Sequence, residues 1–89
     1  MTLKTIEMAI RFINSDAQAE NFVSLYIDQW HGMSAEELTS EGVNSDRASS
    51  DIFMLADCYN PAPDRDESEI DEAELRKKIK ETLEKFQLL

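Results

Sequence analysis

Residues 70–86 read IDEAELRKKIKETLEKF, from Ile70 to Phe86. Leu75, Ile79, Leu83 and Phe86 recur at helical spacing and line one face of a helix. Asp71 precedes Glu74 by three residues, the spacing of a capping box, and Ile70 and Leu75 flank it as a hydrophobic staple. Arg76, Lys77, Lys78 and Lys80 fall on the outer surface of this helix, and Lys85 suits its C-terminal dipole. The stretch therefore predicts an amphipathic helix with a defined start, and it fixes the fold class as helical.

Immediately upstream the character changes. Asp64–Glu74 reads DRDESEIDEAE, with seven carboxylates in eleven residues and one base. Acids in the first turn of a helix complement its dipole by about 0.3–1 kcal/mol each at the surface. That accounts for Asp71, Glu72 and Glu74. It does not account for Asp64, Asp66, Glu67 and Glu69, which lie before the helix and repel one another. Something outside the fold is expected to compensate that repulsion.

Pro61 and Pro63 end the preceding helix, because neither can donate a backbone hydrogen bond. That helix is predicted from about Asn44–Asp46, with a stripe of Ala48, Ile52, Leu55 (or Ala56) and Tyr59. Before it, Met33–Asn44 reads as a connection with one helical turn, capped by Ser34 and Glu37 and ended by Gly42. A further helix carries Phe22, Tyr26 (or Val23, Ile27) and Trp30. Ser15 and Gln18 have the spacing of its capping box, and Gly32 is placed to be its C-terminal cap. The first helix carries Leu3, Ile6, Ile10 and Ile13, with Thr2 as its N-cap. There is no strand-like alternation and no hairpin turn signal. The expectation is an all-α, antiparallel four-helix bundle, one small domain over residues 1–89.

The whole chain has 89 residues and a formal net charge of −10. Such a charge repels phosphates and anionic membranes and favours a basic partner. No apolar run is long enough to span a membrane. The N-terminus, MTLKTIEMAI, lacks the basic region, apolar block and cleavage site of a signal peptide. A lone cysteine, Cys58, fits a reducing compartment, and a bacterial cytoplasmic location is expected.

The acidic segment is a poor calcium loop. Counted from Asp64, the sixth position is Glu69 where a glycine must turn, and the twelfth is Leu75 where a bidentate Glu belongs. Cys58 and His31 are the only pair for thiol chemistry, with no glycine-rich turn for an oxyanion hole. They read instead as a partly buried small residue and a helix-end residue. Trp30 reads as core or rim. A carrier protein of this size and charge needs an Asp-Ser-Leu attachment site, but Ser49-Ser50-Asp51-Ile52 has the wrong order. Two glycines leave no Walker or Rossmann pattern. No enzyme activity, no cofactor and no metal are expected.

The second half of the chain resembles a known family. Ile52-Phe53-Met54-Leu55-Ala56, Pro61, Asp64-Arg65, Glu69-Ile70-Asp71 and Leu83-Glu84-Lys85-Phe86 are similar to the corresponding run of the colicin D immunity protein family, over roughly residues 50–88. The resemblance implies a small acidic helical protein that inhibits a tRNA-cleaving toxin, of colicin or contact-dependent-inhibition type. It also implies a one-to-one complex in which carboxylates cover the toxin's basic cleft. On that reading the toxin-binding candidates are Asp57, Tyr59, Asp64, Arg65, Asp66, Glu67, Glu69 and Asp71, with Tyr59 and Arg65 as anchors. Asp64 is expected to pair locally with Arg65. The alternative is an acidic adaptor or anti-activator for another basic domain.

Overall fold

A computed structural model describes residues 3–89. Five helices follow one another: α1 (Lys4–Ile13), α2 (Ala19–Gly32), α3 (Ala35–Thr39), α4 (Val43–Asp57) and α5 (Glu72–Lys85). There is no strand among the described residues. The all-α expectation holds, and the helical turn expected within 33–44 is a helix of its own.

The helices meet in one core. α1 packs on α2, α4 and α5, while α4 packs on α1, α2, α3 and α5. The radius of gyration is 12.5 Å, close to the roughly 12 Å of a single packed unit of this length. Leu75, Ile79 and Leu83 of α5 are fully buried, as their spacing requires. Phe86 is only half-buried. On α4 the buried apolar residues are Ala48, Ile52 and Ala56, beside buried Ser45 and Ser49, whereas Leu55, and Tyr59 just beyond the helix, are half-buried.

The stripe of α1 is turned relative to the sequence reading. Leu3, Ile6, Ala9 and Phe12 are buried, whereas Ile10 and Ile13 are half-buried. The reason is aromatic. Phe12 stacks on Phe22 of α2 with ring centroids 4.2 Å apart, and Phe22 in turn lies 5.4 Å from Tyr26. Stacked pairs of this kind contribute about 0.5–1.5 kcal/mol beyond their buried area, and they rotate α1 toward Phe12.

The core carries one polar seam. The Tyr26 hydroxyl donates to the Ser49 carbonyl at 2.6 Å, and the Thr5 and Ser49 hydroxyls share a hydrogen bond of 2.8 Å. Burial pushes the Tyr26 phenol far up, against the smaller opposing effects of Ser49 and Thr5. The seam joins α1, α2 and α4 and gives each of its three hydroxyls a hydrogen-bond partner, as is usual for buried polar groups.

Caps differ from their sequence assignments in instructive ways. The expected N-cap Thr2 lies outside the described residues, and the N-cap position of α1 is Leu3, without a side-chain cap. Ser15 does not cap α2, which begins four residues later with Gln18 as its N-cap. The Ser15 hydroxyl accepts instead from the Ala17 amide. Gly32 is the last residue of α2 rather than its left-handed cap, and extended Met33 follows. Ser34 and Glu37 form the expected reciprocal box on α3. Gly42, with φ of 101°, turns the chain out of α3 and into α4. A side chain there would be strained.

Candidate functional site

The acidic segment leaves α4 and enters α5 through a loop whose two ends are tied together. The Asn60 amide donates to the Ile70 carbonyl and the Ile70 amide to the Cys58 carbonyl, both at 2.9 Å. Residues 60–69 thus form a compact loop with a closed neck, of the Ω type.

The loop is stitched by its own side chains. Asn60 precedes Pro61 and accepts the Ala62 amide at 3.0 Å, a side-chain-closed turn. Its Nδ2 donates to Glu69 Oε2 at 3.2 Å. Glu69 Oε1 accepts the Asp66 amide at 3.0 Å. These bonds, with the Asp66 amide first and Asn60 next, hold the Glu69 carboxyl below its usual range, and Arg65 adds to them against a smaller effect of burial. Arg65 Nη1 donates to the Ala62 carbonyl at 2.8 Å, and Nη2 reaches Asp71 Oδ2 at 3.3 Å. Asp64 is therefore not the partner of Arg65. Asp71 is, and Asp71 Oδ1 also accepts the Glu74 amide at 2.9 Å as the N-cap of α5. The Arg65–Asp71 side chains are 31% and 42% exposed, so their ion pair contributes under about 1 kcal/mol.

The eight candidate residues accordingly separate into two sets. Tyr59, Arg65, Glu69 and Asp71 are half-buried at the neck or in the stitching. Asp57, Asp64, Asp66 and Glu67 are exposed. Their carboxylates have no hydrogen bond or ion pair among the described residues. Asp57 is the last residue of α4, whose final turn holds no base. A carboxylate at that end opposes the helix dipole, so local stability does not explain it. At the neck, burial raises the Tyr59 phenol, with further upward contributions from Glu20, Glu72 and Asp71.

Two residues of the same region were read as helix decoration and are not. Glu72 Oε1 accepts the Ala19 amide at 3.0 Å and so caps α2 from across the fold. Arg76 is not on the outer surface. Its guanidinium donates to the carbonyls of Phe12, Ser15 (2.9 Å) and Ala17 and lies 4.1 Å over the Phe12 ring. It supplies donors to carbonyls along the turn from α1 to α2, of which that of Phe12 also accepts the Ser15 amide at 3.5 Å.

Cys58 and His31 belong to different neighbourhoods. The half-buried Cys58 ends α4 and lines a depression with Glu67 and Lys78. The exposed His31 ring meets Trp30 and Phe53 edge-on at 5.7 and 5.6 Å. Trp30 is half-buried and stacked on Phe53 at 4.2 Å, with its Nε1 enclosed and unpartnered. Among the described residues no group of three His, Cys, Asp or Glu side chains is arranged to hold a metal ion. Among the described residues no helix is long and apolar enough to cross a membrane.

Beside this geometry stands a comparison with known families. Residues 1–86 match the family described as bacterial self-protective colicin-like immunity. The chain belongs to that family. The match takes in α1, α2 and α3 as well, beyond the roughly 50–88 over which the resemblance is read. A search among curated proteins finds no match. Members of an immunity family bind a toxin, and catalysis is not their general property.

Proposed function

We propose that this chain, residues 1–89 acting as one domain, is the cytoplasmic inhibitor of a tRNA-cleaving toxin of colicin D or contact-dependent-inhibition type. It binds the toxin's nuclease domain one to one and has no catalytic activity of its own. The scaffold is read as an antiparallel bundle of α1, α2, α4 and α5 with α3 appended. Asp57, Asp64, Asp66 and Glu67 enter the basic cleft where the toxin collects phosphates, and so exclude tRNA. Arg65, Glu69 and Asp71 hold the loop in shape, and Tyr59 at the neck is the aromatic anchor.

One observation carries this reading. The loop's own bonds use the Glu69 and Asp71 carboxylates, while the carboxylates of Asp64, Asp66 and Glu67 remain exposed without partners among the described residues. A loop backbone already closed before binding loses little freedom on binding, so only the side chains it carries remain to be ordered. Complementary potential also speeds encounter with a basic partner and excludes acidic ones.

The test is to express the protein encoded by the adjacent reading frame, assay it for tRNA cleavage, and titrate that activity with the purified chain. The wild-type chain is expected to abolish cleavage at one equivalent. The Asp66→Asn/Glu67→Gln double variant should slow association and flatten its salt dependence. Inhibition by that variant at the wild-type rate and salt dependence would place the toxin's grip elsewhere.

A further inference from the structure

The seam between α4 and α5 is not filled. A depression of about 380 Å³ lies beside Met54 and Thr82, and one of about 530 Å³ lies beside Cys58 and Ile70. Leu55 and Lys78 line both, so the two make one trough that runs from the acidic loop along the helices. Its wall includes Met54, which is 65% exposed although it is a large apolar side chain in the middle of a helix face.

The charges around this apolar floor are of nearly one sign. Asp51 and Glu81 edge the far end, Glu67 and Glu74 edge the loop end, and Lys78 is the single base between them. These four carboxylates have no internal partner among the described residues. A second copy of the chain does not fit here, because each copy carries a formal net charge of −10. A nucleic acid would be repelled for the same reason. What fits is a protein segment with an apolar side chain between basic ones. The apolar group sits on Met54 and Leu55, a methionine surface that adapts to its occupant. The bases meet the carboxylates at each end.

We infer that the α4–α5 trough is a second docking surface, continuous with the acidic loop, for a basic-apolar-basic segment of the toxin. This rests on the proposed inhibitory function and extends it. The loop blocks the cleft, and the trough grips the domain beside it. An apolar contact at the centre of a charged surface is where binding energy concentrates.

The experiment is calorimetric titration of the protein encoded by the adjacent reading frame into four proteins, with thermal melts of each. They are wild type, Met54→Glu, Glu81→Lys and Asp66→Asn/Glu67→Gln. Met54→Glu and Glu81→Lys are each expected to weaken binding at least tenfold without lowering the melting temperature. Met54→Glu is the sharper of the two. It adds a negative charge, so long-range attraction alone would leave affinity unchanged or raise it. Unchanged or tighter binding by both trough variants overturns the trough, and the loop reading survives if the loop double variant still weakens binding. Weakening by the trough variants alone keeps the trough and removes the loop. Absence of binding by the wild-type chain removes both.

Discussion

Residues 14–18 and residues 60–69 both lie against the start of α5, and they are held by opposite means. The first turn makes few bonds of its own. It is held by Glu72 on the α2 side and Arg76 on the α1 side, across 53 to 64 residues of sequence. The second holds itself, through Asn60, Arg65 and Glu69, and takes only Ile70 and Asp71 from its border with α5. In the first turn charge is consumed inside the fold. In the second it is left over, because the stitching needs only some of the carboxylates. A loop that closes on itself can display charges without asking the core to compensate them.

If that contrast is right, Arg76 carries the largest effect. Arg76→Ala is expected to destabilise the chain by about 2–3 kcal/mol, in line with hydrogen bonds to charged groups. Arg76→Lys should recover little, because an ammonium cannot fork to several carbonyls or lie flat on Phe12. Urea denaturation of the two variants checks this. A loss below 0.5 kcal/mol for Arg76→Ala, a threshold set by ordinary surface substitutions, would erase the distinction between the turns.

A smaller effect is expected at Asp71, which belongs to both the loop and the helix. Asp71→Ala should cost about 1 kcal/mol as a lost N-cap. Asp71→Asn should cost less, since asparagine caps equally well and only the exposed Arg65 pair is lost. Equal losses for the two would mean that the ion pair, rather than the cap, holds the junction.

Glu69 gives the contrast a pH dependence. Its carboxyl is held below its usual range in the fold. A depressed carboxyl adds stability at pH values above its unfolded pKa, about 4.3, and that contribution disappears as pH falls through the lower folded value. Acidification below about pH 4 should therefore loosen the neck while residues 14–18 stay ordered. Amide exchange at Asp66 and Ile70 should rise on acidification relative to Asn14, whose amide donates to the Ile10 carbonyl rather than to a carboxylate, after correction for intrinsic rates. Parallel behaviour of all three amides would show that the loop has no stability of its own.

The sequence made α5 legible because its signals are local. Asp71 caps it, and Leu75, Ile79 and Leu83 repeat on one face and are buried. The acidic loop was legible as a loop from Pro61, Pro63 and the density of carboxylates. Its inner division was not, because Asp64 and Glu69 differ only in what lies beside them once the neck has closed. Asn60 before Pro61 was the available signal for that closure. Arg76 was hidden in a run of bases, and nothing within that run separates a guanidinium facing Phe12 from ammonium groups facing water. The turned stripe of α1 was hidden for a related reason. Its orientation is set by Phe22, ten residues on, rather than by the isoleucines of α1 itself.

The smallest expected effect on stability belongs to the exposed acids, and its smallness is the point. Asp64, Asp66 and Glu67 have no internal partner among the described residues, so no native bond is lost when they are neutralised. Asp66 and Glu69 do interact, but through the Asp66 amide, which Asp66→Asn retains. What changes is mutual repulsion among neighbouring carboxylates, which destabilises the folded loop. The triple variant Asp64→Asn/Asp66→Asn/Glu67→Gln should therefore melt at the wild-type temperature or slightly above it, within about 0.5 kcal/mol. The difference should shrink as salt screens the charges. A fall of 1 kcal/mol or more, beyond that ordinary range, would show that these acids take part in the stitching. They would then belong with Glu69 and Asp71 as structural residues, and the display of free charge by a self-closed loop would no longer describe the molecule. A neutral outcome makes the same variant a clean probe of recognition, because any loss of inhibition then comes from the missing charges and not from the fold.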